Sequence, residues 1–505
     1  MEGNAMIAQT LERMNAVLQK VQSGPGLNVS AGLQYYDLEA EAKMLYPVLA
    51  PIRKRMARIG KKGAGQGLAV NWKIITDPNS ARTSAVVSEG KRGGQITPKT
   101  ADKVATYKGI GLENVVTWEA EYGAEGFDDI RAIAQRTTLD ALILREEPML
   151  LWGNSSNALG KPSAPTGTGT TAASTGTLAD TTYYLFVVPL SLAGLEHALA
   201  QSPAAVVPTI TRVNADSTTD TINSGVGIMS NASAGIAVSG GSGTGKITAQ
   251  VAAVKGAAGY AWFIGTANTA ANCYCTAITT INKAVITAAP GTGQTAAYTG
   301  TSWNPATDYS TNPLAFDGLI TQAMTGNGYF ASLDGATLTA DSANGIVEID
   351  VALQWFWDTY RISPTRIYVG SQEQRNIAKK IFGGSTTAFR INLENNLSSL
   401  GNLTGSAVVG GYTNKFAPGT ANGPMVIPIE LHPNMPNGHI FFDTELNPYP
   451  TANIPYARAV RTRRDYFNVV WPVVSRSYQN GVYSDQVLQL YIPYGLGLLS
   501  NVGDG

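Results

Sequence analysis

Apolar residues at Ile7, Leu11, Met14, Leu18 and Val21 recur at alternating spacings of four and three, with polar residues in most of the gaps. That period predicts one amphipathic helix of about six turns, stopped by Ser23-Gly24-Pro25-Gly26. A helix ahead of a Gly/Pro hinge either packs on its own domain or docks on something else. From Leu68 to Trp118 the period shortens to two. Val70, Trp72 and Ile74 alternate, and Val104, Tyr107, Ile110, Val115 and Val116 resume the pattern. Between them, Asp77 to Thr100 is polar and carries Gly90, Gly93, Gly94 and Pro98. This predicts two long strands joined by a polar tip, a hairpin too long to be buried in one small domain. Gly126 to Trp152 has the strongest helical stripe: Phe127, Ile130, Ile133, Ala134, Leu139, Leu142 and Ile143. Asp128 and Asp129 sit in its first turn, where the helix dipole favours them, and Pro148 marks its end or a kink.

Short alternating runs follow. Tyr183–Leu192, Lys246–Val254, Tyr260–Gly265, Tyr274–Ile281 and Ala284–Ala288 read as strands separated by Gly, Ser, Thr and Asn turns, the spacing of a small β-sandwich. Helical stripes return at Val347–Tyr360 and Ser371–Ile381, the second with Ser371 as its cap and Gln374 at the capping-box position. Arg366–Val369 is a short strand, and short strands predominate from Val408 to Leu498.

Charge sharpens this division. Leu151 to Ala315 carries 5 Lys/Arg and 5 Asp/Glu in 165 residues, whereas the other 340 residues carry 31 of each. The middle therefore reads as an all-β module inserted into a host whose halves flank it. It begins after Gly160 and ends before Pro313, so its ends should emerge close together, and the host should fold without it. Its low charge suits a solvated module facing outward.

The whole chain has 505 residues, 36 basic and 36 acidic, which disfavours specific nucleic-acid binding. No apolar run is long enough to span a bilayer, and Met1 to Val21 has no continuous apolar stretch of the signal-peptide kind. The two cysteines, Cys273 and Cys275, form a C-x-C pair, a poor disulfide and an incomplete metal site. Gly240-Gly-Ser-Gly-Thr-Gly-Lys246 looks like a phosphate loop but continues into Ile247, not the Ser or Thr that would hold Mg²⁺, and into a strand pattern, not a helix. His197, His432 and His439 have no nucleophile elbow nearby. Glu146-Glu147 and Asp128-Asp129 diverge by about 100° on a helix and do not converge on a substrate. No enzyme, cofactor or metal site is expected. Six basic residues lie between Arg53 and Lys62, and four (Arg458, Arg461, Arg463, Arg464) follow later. These read as a solvated face or salt bridges to a neighbouring subunit, with contact to packaged DNA as the other reading.

Taken in order, an N-terminal helix and arm, a polar-tipped hairpin, a long helix ending in Arg145-Glu-Glu-Pro-Met-Leu-Leu-Trp-Gly-Asn154, a mixed domain with two further helices and a β-rich end resemble the major capsid proteins of tailed double-stranded DNA phages. Phe316-Asp-Gly-Leu-Ile320, Ile362-Ser-Pro-Thr-Arg-Ile-Tyr-Val-Gly370 and His432-Pro-Asn-Met-Pro-Asn-Gly-His-Ile440 look like idioms of that family. The resemblance covers residues 1–160 and 313–505. It implies an α+β, Hong Kong 97-like fold: arm 1–50, E-loop 51–120, P-domain long helix 121–160, P-domain return 313–345, A domain 346–450 and a C-terminal β segment 451–505. The insert, 161–312, resembles an immunoglobulin or fibronectin III-like sandwich, with Lys255-Gly-Ala-Ala-Gly-Tyr-Ala-Trp262 as its turn and strand.

The function so implied is self-assembly, through hexamers and pentamers, into the icosahedral shell of a virion, made and assembled in the host cytoplasm. Portal and scaffolding or decoration proteins would be partners, with non-specific contact to packaged DNA and no membrane. Because the arm begins almost at once, any scaffold is expected to be a separate protein. A tail or adhesin component, or a carbohydrate-active enzyme with an accessory β-module, are the alternative readings. Candidate inter-subunit residues are Ile7, Leu11, Met14 and Leu18 of the first helix; Arg53, Arg55, Arg58 and Lys61 of the first basic cluster; Lys91 and Arg92 of the hairpin; and Arg461, Arg463 and Arg464 of the second cluster.

Overall fold

A computed structural model describes residues 44–60, 67–77, 85–241, 243–288, 291, 293–296, 304–341, 345–383, 409–417 and 425–505. The predicted first helix, with Ile7, Leu11, Met14 and Leu18, lies outside the described residues, as does Lys61.

The described residues form an α+β fold, in which a hairpin, a long helix, the insert's strands, two further helices and a β-rich end follow one another in the predicted order. The long helix runs Ile130–Trp152, with Asp129 as its N-cap accepting from Arg131 N at 3.0 Å and Ala132 N at 3.1 Å. It passes through Pro148 instead of ending there, at the loss of one backbone donor. It lies on a four-stranded sheet in the order Ala57–Gly60, Arg458–Val470, Ser477–Leu490, Lys108–Thr117. Asn114, on the last of these strands, donates to Thr138 Oγ1 at 2.9 Å and fixes the helix to the sheet. The two central strands are long, not short as the sequence suggests. Thirteen and fourteen residues make a ribbon about 45 Å from end to end.

The hairpin is Ala69–Asp77 paired antiparallel with Lys99–Thr106. The second half of the predicted strand, Lys108–Thr117, leaves it for the main sheet, so the free hairpin is shorter than Leu68–Trp118. The reason is burial: Val116 packs in the body, whereas the hairpin strands form a two-stranded sheet of their own.

A second host sheet has six strands: Tyr329–Ser332, Gly497–Ser500, Ile440–Asp443, Arg366–Val369, Val426–Leu431, Gly411–Thr413. Helix Val347–Tyr360 covers it through Ile349, Leu353 and Phe356, and helix Ser371–Gly383 through Ile377. Gln374 does not return to the start of that helix; its amide donates to Val409 O at 2.9 Å.

The insert holds a three-stranded sheet (Thr166–Gly169, Ile247–Gln250, Lys283–Ile286) and a four-stranded one (Thr182–Leu190, Ile236–Ala237, Gly259–Gly265, Cys273–Thr279). Helix Leu192–Leu199, where the strand pattern gave no warning, and a free ribbon, Thr209–Val213 with Thr219–Asn223, complete it. Strand alternation divides its residues. Tyr183, Leu185, Tyr260, Trp262 and Ile264 fill the space between the sheets. Phe186, Val188, Ala261 and Phe263 face the other way and join one continuous apolar cluster with host residues Leu150, Phe316 and Leu488.

The chain enters and leaves the insert at one crossing. Gly318 N donates to Gly153 O at 2.7 Å, and Asn312 N to Asn154 O at 2.8 Å. A Cβ at Gly153 would collide with the Phe316 carbonyl, so the Trp-Gly-Asn and Phe-Asp-Gly idioms are two halves of this contact. The insert does not leave the host untouched elsewhere. Buried Asn282 donates its backbone N–H to Asn501 Oδ1 of the host at 2.9 Å and its side-chain amide to Asp334 Oδ1 at 2.7 Å. Excision of the insert would open the shared cluster and leave Asn501 and Asp334 without these partners. Asn282→Ala is expected to lower stability by about 1–3 kcal/mol, read from the thermal unfolding midpoint; an unchanged midpoint would mean the junction is not coupled to folding.

Candidate functional site

The long helix places two carboxylates inside the host. Glu146 and Glu147 are fully buried, next to each other in sequence, and aimed at different partners. Glu146 accepts from Arg53 Nε at 2.9 Å, Arg58 at 2.8 Å, Gln486 Nε2 at 2.7 Å and the Tyr466 hydroxyl. Glu147 accepts from the backbone N–H groups of Ile52 (2.8 Å) and Arg53 (2.9 Å), which cap the short helix Pro51–Arg55, and lies 2.8 Å from His432 Nε2. One helix turn therefore holds the incoming arm, both long strands and the His432 loop. Buried carboxylates with several donors are tolerated because each charge is met by hydrogen bonds.

A second cluster joins that region to the six-stranded sheet. Arg458 is buried against Asp443 at 2.7 Å and Glu445 at 3.2 Å. Arg366 reaches Glu445 at 3.2 Å and Glu430, and Arg55 also pairs with Glu430. Burial raises the Asp443 carboxyl to about 6 against the pull of Arg458.

Of the basic residues expected at subunit contacts, Arg53, Arg55 and Arg58 pair with carboxylates of their own chain. Arg463 is likewise paired, with Asp485 at 2.8 Å. Arg464 lies 3.8 Å over the Phe467 ring. Arg461 is half-buried in the sheet, in register with Ile59 and Val487. Lys91 and Arg92 are exposed at the far end of the hairpin.

The titrating groups act in folding. His439, fully buried edge-on to Trp152 at 5.6 Å, is held near 4 by burial. It stays neutral in the fold and regains its proton on unfolding, so its contribution is present above about 6.5 and lost as pH falls through 4. Glu373, buried in the first turn of its helix and accepting from Gly438 N at 2.6 Å, is raised by burial to about 7. Its sign is opposite: the contribution is present below about 4.5 and lost as pH rises through 7. Glu373→Gln keeps the Gly438 bond and is expected to gain stability relative to the parent by up to about 3 kcal/mol as pH rises from 4.5 past 7. A pH-independent difference between the two unfolding curves would contradict this.

Among the described residues no group of three His, Cys, Asp or Glu could hold a metal, and no helix is long and apolar enough to cross a membrane. Cys273 and Cys275 are buried free thiols, raised by burial to about 11 and about 12. Gly240 and Gly243 take positive φ in a turn that leads into strand Ile247–Gln250, which is not the geometry of a phosphate loop.

What remains for contact with other molecules is surface. The base of the hairpin packs on the body through Val70, Ala105 and Trp72, whose ring meets Tyr491 at 6.2 Å. Within the base Val104 is 66% exposed, and beyond it Ile75 is 72% and Ile96 53% exposed. Exposed pairs Lys73–Asp102 and Lys99–Asp77, both at 3.7 Å, cross the strands and add little. At the opposite end of the long ribbon, the turn after Val470 exposes Trp471, Val473 and Val474. It forms one wall of an open cleft of about 870 Å³ whose other wall is the insert's ribbon. The sequence predicts the hairpin but not the cleft. The carboxylate pair has a sequence signal, since two acidic residues in the largely apolar run Leu142 to Trp152 require buried partners.

No family model matches the chain, and no curated protein matches it. Among solved structures it is similar to the capsid of Myoviridae phage XM1, with 8% identity over 95% of this chain and 100% of that one at a TM-score of 0.39. It is similar to the cyanophage Pam1 capsid, with 10% identity over 96% and 100% at 0.39. It is also similar to the SrpI encapsulin complex of Synechococcus elongatus, with 8% identity over 92% and 93% at 0.36. These are distant likenesses, and the functional reading rests on the chain's own surfaces.

Proposed function

We propose that this chain is a shell-building subunit, and more finely the major capsid protein of a tailed double-stranded DNA phage. The hairpin carries the reading. A lone two-stranded ribbon is marginally stable in water, and Ile75, Ile96 and Val104 would each gain up to about 1.5–3 kcal/mol on full burial. A neighbouring subunit supplies that cover. The interior agrees: the buried carboxylates and histidines are engaged in holding helix, sheets and the Pro51–Arg58 segment together, and among the described residues neither the cleft at Trp471 nor the one at Trp72 is lined by them. An overlapping hairpin and arm would raise the buried area per subunit above the roughly 1,600 Å² of an ordinary interface.

Under this reading the subunit forms hexamers and pentamers, meets portal and scaffolding or decoration proteins, contacts packaged DNA without sequence preference, and resides in the virion capsid after assembly in the host cytoplasm. The insert is an immunoglobulin or fibronectin III-like sandwich; its complement of three and four antiparallel strands supports that. Sedimentation velocity of the purified chain tests the reading. Capsomers or closed particles are expected; a single species at 53.1 kDa across all concentrations would overturn it.

A further inference from the structure

The hairpin and the open cleft stand at opposite ends of the same ribbon. Trp72 and Val104 of the hairpin base lie beside Leu490, whereas the cleft is lined at Tyr483 and Gln479 and closed by Trp471. From Gln479 to Leu490 is about 35 Å of strand. Within one chain both surfaces stay exposed: the hairpin's end does not occupy its own cleft.

The two surfaces are complementary. The cleft presents Trp471, Pro472, Val474 and Val213, with Val474 93% and Val213 70% exposed, beside the carboxylates of Glu113 and Asp216. Its one arginine, Arg212, is already paired with Asp220 at 2.7 Å. The hairpin's end presents Val87 and Ile96 around Lys91 and Arg92, with Glu89 as its lone acid. Apolar surface faces apolar surface, and a net basic tip faces a net acidic wall.

Resting on the shell-building reading, we infer that the cleft between the insert's ribbon and the Trp471–Val474 turn is the socket for the hairpin's end of a second copy of this chain. The contact is head-to-tail, with donor and acceptor at different ends of the subunit, so it propagates around a ring and closes when the rotation permits. It gives the insert a part in assembly, since Val213 and Asp216 form one wall. The charge pairs set orientation and encounter more than affinity.

The test is a disulfide trap in the full chain. The native thiols are buried and do not compete, so Glu89→Cys with Val474→Cys should give a ladder of covalent oligomers on oxidation of assembled particles, and neither single variant should. In parallel, Lys91→Glu with Arg92→Glu should reduce particle yield at least tenfold, and adding Glu113→Lys with Asp216→Lys should restore it. A ladder or a restored yield supports the socket. Particles that form with no ladder and no rescue would place the hairpin elsewhere on its neighbour, overturning the socket and leaving the shell reading intact. A purely intrachain disulfide would also overturn it. Failure of the unmodified chain to form any particle would remove the shell reading and the socket together.

Discussion

Joining Asp77 to Lys99 by a two-residue Asn-Gly turn, in place of residues 78–98, is expected to abolish closed particles while leaving the isolated subunit's unfolding midpoint nearly unchanged. Asp77 and Lys99 are register partners, so a short turn closes the strands without distorting the base. The base contacts of Val70, Trp72 and Ala105 are kept. Among the described residues, what is lost is the exposed stretch 85–98, so little folding energy goes with it. The assembly loss follows from removing Lys91, Arg92, Val87 and Ile96 together. Particles of normal yield from this variant would show that the hairpin's end is not an assembly element. A large fall in the midpoint would show that it packs on its own subunit.

Glu146→Ala should do the reverse and damage the subunit itself. The side chain is fully buried and meets Arg53, Arg58, Gln486 and Tyr466. Its removal leaves two guanidinium groups partly buried without their shared carboxylate, although Arg58 keeps Asp465 at 2.7 Å. Breaking such a cluster from one side costs about 3–5 kcal/mol. Hydrogen exchange should speed up across Ile130–Trp152 and the Arg58–Gln486 region by two to three orders of magnitude, about 1.4 kcal/mol per tenfold. Protection that matches the parent would mean that the network is not what fastens the arm to the helix.

The elements readable from sequence are those whose pattern is set locally. The long helix and Val347–Tyr360 show a 3.6-residue stripe because one face packs on a sheet and the other is wet. Five of the insert's strands are recovered to within a few residues because Gly, Ser and Thr turns bracket apolar runs, whereas the short or polar strands Thr166–Gly169, Thr209–Val213, Thr219–Asn223 and Ile236–Ala237 are not. The long ribbon was read as short strands because Arg461, Arg463, Arg464 and Asp465 break its apolar pattern. Arg463 pairs with Asp485 and Asp465 with Arg58, while Arg464 stacks over Phe467, and no local rule sees a partner twenty residues away. Register shifts at Thr462–Arg464 and Arg464–Phe467 disturb the alternation further. The intrachain partners of the basic cluster at Arg53 to Arg58 are hidden for the same reason: Glu146, Glu430 and Asp465 lie close to a hundred or several hundred residues away. The cleft has no sequence signature at all, since Glu113, Val213 and Trp471 converge only through the fold.

Electron cryomicroscopy of particles assembled from the full chain tests the central claim most directly, because it locates residues 69–106 relative to subunit boundaries. The account predicts closed shells in which each hairpin lies across a neighbouring subunit, with Lys91 and Arg92 against that neighbour. Closed shells with every hairpin folded on its own subunit, or fibres and trimers in place of shells, would contradict it.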